Sequence, residues 1–273
     1  MNFVNLAHGS LYMMGAYVAA AVFNASDSFV LAGVVAVPAT MLLGMMVERV
    51  ALSRLYRRDH LDQVIATFGL ILFFNELVRI IWGPAAVYMN APEALSGTVM
   101  LFGVGYPAYR CAIIAAGLLV GAMLYWLIHK TRIGMLIRAG ASTPDMVAAL
   151  GVNISLLNTL VFGLGAGLAG LAGWLAGPIL SVQSGMGEPI LILTLVVIVT
   201  GGIGSIRGAL YGALAVGMVD TIGRAFLPSL LREFTERSLA QAAGPAIASI
   251  LIYLLMAVVL AVRPQGLFPV KHG

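Results

Sequence analysis

Two amides and an imidazole stand within the first ten residues, as Asn2, Asn5 and His8, with Gly9 and Ser10 directly behind them. Set in an otherwise apolar stretch, such groups can hold or pass a polar solute, or they can satisfy one another. An ionised side chain at the centre of a bilayer costs about 2.5–3.5 kcal/mol on insertion scales, so polar groups at that depth face a cavity or a partner. The cluster resembles a broken or re-entrant segment more than a plain lipid-facing helix. Three readings fit it: the lining of a translocation path, a hydrogen-bonded knot between helices, and the interfacial end of a helix.

A second polar group, Asn75, Glu76 and Arg79, falls in another apolar run. Glu76 and Arg79 are three residues apart and can neutralise each other on one helical face. Arg79 is also near enough to the end of the run to snorkel. Asp220 and Arg224, four apart, fit the same description. Structural ion pairs explain these charges better than a proton relay does. The candidate path residues are therefore Asn2, Asn5, His8, Gly9, Asn75 and Glu76.

Patterns for covalent or metal chemistry are missing. The sequence has no Gly-Lys pair, and so no phosphate-binding loop of the P-loop kind, and it has no H-E-x-x-H, C-x-x-C or G-x-S-x-G. Cys111 is the one cysteine and lies in an apolar run, which excludes a disulfide framework or a cysteine-based metal cluster. No catalytic residue, metal site or cofactor is expected in this chain. If ATP drives what it does, another polypeptide binds the ATP.

The elements that must position these groups follow from composition. The chain has 273 residues, of which 61% are hydrophobic and 10% charged, with a mean hydropathy of +1.01. A soluble domain keeps about a quarter of its residues charged. This one has too little polar surface to cover a water-soluble globule, so its apolar excess must face lipid. The net charge of +4 comes from short basic clusters between apolar runs, a pattern of membrane orientation and not of nucleic-acid binding. The first apolar stretch lacks a basic leader region and runs on into further spans, so no cleavable signal peptide is read there.

A bilayer core of about 30 Å needs about 20 apolar residues at about 1.5 Å each. Runs of that kind begin near Phe3–Phe23, Phe29–Val47, Val64–Trp82, Cys111–Ile128, Ile154–Gly177, Pro189–Ile203, Gly208–Leu227 and Pro245–Val262. The fold class is thus all-α, a polytopic transmembrane bundle of about eight spanning helices. Arg49, Arg54, Arg57 and Arg58 share one connection, and Lys130, Arg132 and Arg138 another. These two, and the tail from Arg263 to Gly273, are placed in the cytoplasm. The loop with Arg232 and Arg237 breaks the rule, but Glu233 and Glu236 accompany the two bases.

Gly163, Gly167, Gly170, Gly173 and Gly177 recur at three- and four-residue spacing in one run. Small residues let helices approach closely in lipid, so packing is the favoured reading over a helix that slides. Between Lys130 and Asn153 the sequence suggests a short capped helix: Ser142 or Thr143 as cap, Pro144 in its first turn, Asp145 at its positive end and Gly151 to close it. A docking element and a plain amphipathic connector both fit this segment.

Four stretches, in order, carry a resemblance. They are Val4-Asn5-Leu6-Ala7-His8-Gly9 with Tyr12, Met13 and Gly15-Ala16-Tyr17; Ile65-Ala66-Thr67-Phe68-Gly69-Leu70; Thr131-Arg132-Ile133-Gly134 running to Ala148-Ala149-Leu150-Gly151-Val152-Asn153; and Gly201-Gly202-Ile203-Gly204-Ser205-Ile206-Arg207-Gly208-Ala209. With the ending Arg263-Pro264-Gln265-Gly266-Leu267-Phe268, they make the chain similar to the permease subunits of branched-chain amino acid ABC importers. The resemblance implies a multi-pass subunit of the bacterial inner membrane, with residues 1–273 as a single permease domain. It implies a second permease subunit or a copy of this one, two cytoplasmic ATPase subunits and a periplasmic amino-acid-binding protein as partners. It also implies that Asp145, Ala148, Ala149 and Gly151 couple to the ATPase and that Gly201, Gly202, Gly204 and Gly208 form a glycine-rich turn.

Members of that family usually carry a further apolar stretch before the Asn-Leu-Ala-His-Gly region, while this sequence begins almost inside that motif; either the true start lies upstream or one N-terminal helix is absent. Arg207 replaces a proline common in the glycine-rich turn, which predicts a less rigid turn. The rival reading, an ion-coupled secondary transporter, predicts buried acids on facing helices and an internal repeat, and neither is visible in the sequence. A non-transporting scaffold is the third reading, and it would have no ATPase partner.

Overall fold

The computed structural model describes residues 5–56, 58–101, 103–233 and 236–268. Every expected span is a helix: α1 (His8–Ser26), α2 (Phe29–Val47), α4 (His60–Trp82), α5 (Ala108–Lys130), α8 (Ile154–Ala176), α9 (Gly187–Gly201), α10 (Ile206–Leu231) and α11 (Arg237–Val262). Shorter helices α3 (Ser53–Leu55), α6 (Arg132–Ser142) and α7 (Pro144–Ala149) lie in the connections. Among the described residues, six helices are long and apolar enough to cross a membrane. At 15 residues, α9 extends about 22 Å, short of a bilayer core.

Two features depart from the expected outline. Strands β1 (Thr98–Leu101) and β2 (Val104–Pro107) form an antiparallel hairpin between α4 and α5, pairing Val99 with Tyr106 and Met100 with Gly105. Gly103, with φ of +83°, makes the reversal between them. The last span also begins at Arg237 and not at Pro245, with Pro245 inside the helix. Proline suits a first turn, which set the expected start, but interior prolines are tolerated in membrane helices because neighbours re-satisfy the freed carbonyl.

The chain forms two compact units, Met1–Leu191 and Ile192–Gly273. In the first, α1, α2 and α8 pack together along the glycines of α8. A Cβ on Gly163 or Gly167 would run into Met45 or Met41 of α2, and one on Gly173 would lie 2.2 Å from the Tyr12 carbonyl oxygen of α1. Gly15 and Gly170 meet at their backbones. The glycine spacing therefore serves close packing, as dispersion between helices in lipid requires. Trp174 stacks on Phe29 at 4.6 Å and donates its indole N–H to the Phe29 carbonyl at 3.0 Å.

At its C-terminal end α2 runs on into a π-helical stretch, Glu48–Leu52, and then α3. Gln63, at the start of α4, donates to the Leu55 and Arg58 carbonyls at 3.1 and 3.0 Å and closes this connection. Arg49, Arg54, Arg58, Lys130, Arg132 and Arg138 mark one end of the unit as its basic end. The second unit holds the rest of α9, α10, α11 and the tail. Gly201 and Gly208 touch backbone to backbone, and Ser205 caps α10 by accepting from Gly208 N–H at 2.9 Å. The tail folds back on this turn: Leu267 and Phe268 N–H donate to the Thr200 and Gly201 carbonyls, both at 2.9 Å. Gly202 (φ +106°) and Gly266 (φ +83°) sit against each other there, where no side chain fits.

Candidate translocation site

The chain turns at Asn5, whose Oδ1 accepts the Ala7 amide at 3.0 Å, and α1 starts three residues later. Beside α8 the His8 ring meets the Phe162 ring edge-on at 5.8 Å. Phe162 lies about 12 Å along α8 from its start, so His8 stands inside the apolar length and not at its edge. His8 and Gly9 are neighbours in sequence and therefore about 100° apart around the helix. They face two different spaces.

Gly9 faces the start of α9. A Cβ on Gly9 would lie 2.4 Å from the Gly187 carbonyl oxygen, and one on Gly187 would lie 2.3 Å from that of Gly9. Next to this contact Asn75 of α4 donates to Glu188 Oε1 at 2.6 Å and accepts the Gly185 amide at 3.1 Å. Glu188 occupies the first turn of α9, where the helix dipole favours a carboxylate. Ser10, Met13 and Ile71 fill the remaining space. This side is closed.

His8 faces a cleft of about 360 Å³ at the basic end, between α1, α6 and α8. Asn5, His8, Tyr56 and Asn158 supply its polar wall, and Val161 and Phe162 an apolar one. Behind Tyr56 lies Glu48, 1% exposed at the start of the π-helical stretch. Its Oε1 accepts from the Tyr56 hydroxyl at 3.1 Å and its Oε2 from the Thr159 hydroxyl at 2.6 Å. Burial, and then the Glu48 carboxylate beside it, push the Tyr56 phenol above its ordinary range, so the hydroxyl keeps its proton and goes on donating. A buried carboxylate with a hydroxyl on each oxygen is a satisfied arrangement. The amide nitrogen of Asn5 is not: it is buried and has no hydrogen-bond partner among the described residues.

The structure thus gathers Asn5 and His8 at one space and Gly9 and Asn75 at another. Glu76 belongs to neither. It pairs with Arg79 at 3.1 Å on an exposed face of α4, the mutual neutralisation its spacing predicts. Asp220 and Arg224 pair likewise, at 2.7 Å. Asn2 lies outside the described residues. The sequence reading missed Glu188, Glu48, Tyr56 and Asn158. Glu188 directly before Pro189, at the head of an apolar run, was the available signal for a carboxylate at a helix start. Glu48 was hidden by its neighbour Arg49, which made it look like part of a solvated charge cluster.

The short connecting helix forms over Pro144–Ala149, with Pro144 and Asp145 in its first turn and Gly151, at φ +88°, just beyond it. Thr143 stands at the cap but its side chain makes no capping bond, and the Ser142 hydroxyl turns back to the Ala139 carbonyl. Asp145, Ala148, Ala149 and Gly151 are all exposed. So are two apolar residues that the sequence did not single out, Met146 at 67% and Leu150 at 79%, while Val147 is buried and anchors the helix. Among the described residues no group of three or more His, Cys, Asp or Glu could hold a metal ion.

Apolar helices of spanning length define a multi-pass membrane protein. The chain belongs to the family described as the permease component of branched-chain amino acid transport systems, whose profile matches residues 1–260. The high-affinity branched-chain amino acid transport system permease protein BraD of Pseudomonas aeruginosa is 28% identical over 98% of this chain and 86% of its own length. The LivH proteins of Escherichia coli K12 and Salmonella typhimurium, named as permeases of the same kind of system, are each 27% identical over 97% of this chain and 87% of theirs. No solved structure matches the chain significantly.

Proposed function

We propose that this chain is the membrane-spanning permease subunit of an ATP-driven importer of branched-chain or related small amino acids in the bacterial inner membrane. In this reading residues 1–273 act as one permease domain, and the basic end lies in the cytoplasm. The chain carries no chemistry of its own. It alternates access to a path past Asn5, His8, Gly9 and Asn75 while two ATPase subunits bind and hydrolyse ATP outside the bilayer. A second permease subunit completes the membrane part, and a periplasmic amino-acid-binding protein delivers the cargo.

The observation that carries this reading is the short helix α7. Because ATP is bound elsewhere, its hydrolysis must reach the spans across a protein interface. The six-residue helix at the basic end exposes Asp145, Met146, Ala148 and Ala149. It runs through Asn153, whose side chain accepts the Leu156 amide at 3.0 Å, directly into α8, the glycine-lined centre of the first unit. A push on α7 therefore reaches the helix against which both α1 and α2 are packed.

Met146→Glu combined with Leu150→Glu is expected to leave the protein in the membrane and to abolish ATP-dependent uptake. Losing apolar anchors at an interface costs about 2 kcal/mol, roughly 30-fold in affinity. The check is leucine uptake alongside co-purification of the ATPase. Uptake that survives ATP depletion but collapses with the proton gradient would replace this reading with an ion-coupled transporter.

A further inference from the structure

We infer that one flank of α10, carrying Asp220, Thr221 and Arg224, faces water inside the membrane and forms a wall of the route that cargo takes; this rests on the importer reading above. The first reason is depth. Helices α10 and α11 are both long and apolar enough to span. Asp220 stands about 21 Å along α10 and about 17 Å from its end. Arg224 donates its Nε–H to Asp220 Oδ1 at 2.7 Å and its Nη2 to the Ser249 hydroxyl oxygen of α11 at 3.4 Å. Ser249 lies about 18 Å along α11 and about 20 Å from its end. Two helices therefore place the ion pair near mid-span independently.

The second reason is direction. An arginine facing lipid lowers its cost by reaching along the helix toward the nearer interface. Arg224 does the opposite: the nearer end of α10 is about 10 Å away, and its guanidinium turns back toward the middle of the helix to meet Asp220. Asp220, with a single methylene, cannot reach an interface at all. Yet the pair is not enclosed, for the Arg224 side chain is 50% exposed and that of Asp220 29%. A guanidinium has five N–H donors, and the two bonds named take two of them. Water supplies acceptors for the rest in any direction, whereas a packed helix from another subunit would need a matching polar group for each.

The rest of α10 divides the same way around its axis. At 100° per residue, Gly217, Asp220, Thr221 and Arg224 fall within about 100° of arc. Gly217 and Thr221 are exposed, and a Cβ on Gly217 would meet nothing within 4 Å. Gly223 faces α11, where its Cβ would lie 2.9 Å from that of Ala248. Met218, Ile222 and Phe226 occupy the remaining arc and are exposed, and the last two border an apolar groove with Leu251 and Leu254 of α11. Bulky apolar side chains suit lipid, and an ion pair does not. At one depth, then, α10 carries two unlike exposed flanks.

The test uses the full chain with its partner subunits in proteoliposomes, with the native thiol removed by Cys111→Ser. Single thiols are placed at matched depth on the two flanks, Gly217→Cys and Thr221→Cys on one, Met218→Cys and Ile222→Cys on the other. A charged, membrane-impermeant methanethiosulfonate is applied from both faces. It reacts with the thiolate, which water supports and lipid suppresses, so labelling should be about 100-fold faster at Gly217→Cys and Thr221→Cys. Labelled Thr221→Cys should also lose the leucine uptake that it has before labelling. Equal rates on the two flanks would overturn the inference. So would an unlabelled Thr221→Cys that oxidises to a cross-link between two copies of the chain, which would make the flank an interface. Fast labelling that leaves uptake intact would take the flank out of the cargo route. If the unsubstituted complex imports no small amino acid, the importer reading itself fails and the route goes with it.

Discussion

Replacing Gly15 by leucine is expected to remove the protein from the membrane fraction, and replacing it by alanine to lower its thermal midpoint in detergent. At this position a single added carbon would lie 2.3 Å from the Gly170 Cα and 2.9 Å from its carbonyl oxygen. Both contacts are with backbone, so no side chain can swing aside and one helix must shift. Inserting methylenes into a packed interior costs about 1–3 kcal/mol each time, occasionally more, against a total stability of about 5–15 kcal/mol. The cost is compounded because α1, α2 and α8 share the contact. Thr40 of α2 lies against Gly170 from its other side, so separating α1 from α8 also disturbs α2. Gly117→Ala is the matched control. Nothing lies within 4 Å of a Cβ there, and alanine favours a helix over glycine by about 1 kcal/mol, so that variant should be as stable as the parent or slightly more so. Equal midpoints for Gly15→Ala and Gly117→Ala would show that the glycine seam does not hold the helices together.

The second large effect is expected at Glu48. Leucine there removes the acceptor for two hydroxyls at once, those of Tyr56 and Thr159. Thr159 keeps the Ser155 carbonyl at 3.0 Å as an alternative, so its hydroxyl stays paired in the variant. Hydrogen bonds to a charged group contribute about 1.5–3 kcal/mol, and a buried polar group left without a partner loses about 1–3 kcal/mol. Glu48→Leu should therefore cost about 3 kcal/mol, while Glu48→Gln, which keeps an acceptor oxygen in the same place, should cost clearly less. Unfolding midpoints of the two variants decide the matter. The π-helical stretch gives the site a further interest, because such widened turns tend to persist where function needs them. Loss of leucine uptake in Glu48→Gln with its midpoint nearly unchanged would mark the carboxylate as part of the working site and not of the frame alone.

The helices were legible because length and apolarity nearly fix a spanning segment. Apolarity alone could not place their ends. The start of α11 was misplaced at Pro245 because proline carries the same local preference at a helix start as in an interior where neighbours compensate. The hairpin was missed because four-residue strands in a loop leave no run long enough to read. At the site the difference is sharper. Asn5, His8, Gly9 and Asn75 stood out as polar or small residues in apolar runs, and each has a specific neighbour at membrane depth. Glu76 stood out equally and faces outward to Arg79, because spacing shows which residues share a face but not which way the face points. Glu48 and Glu188 did not stand out at all. One sits beside an arginine and the other opens a helix, and only packing reveals that both carboxylates accept hydrogen bonds from distant segments.

The tail and the glycine-rich turn carry a consequence for how such chains change over generations. Gly202 and Gly266 are some sixty residues apart in sequence, yet a Cβ on Gly266 would run into the Gly202 backbone and one on Gly202 into the Gln265 and Phe268 carbonyls, so neither segment can gain a side chain there without moving the other. Two motifs that read as separate signatures are therefore one inherited unit. A lineage that abandons the glycine-rich turn has no reason to keep the Arg263-Pro264-Gln265-Gly266-Leu267-Phe268 ending, and one that loses the ending leaves the Thr200 and Gly201 carbonyls without the partners they have here. The two should be kept or lost together.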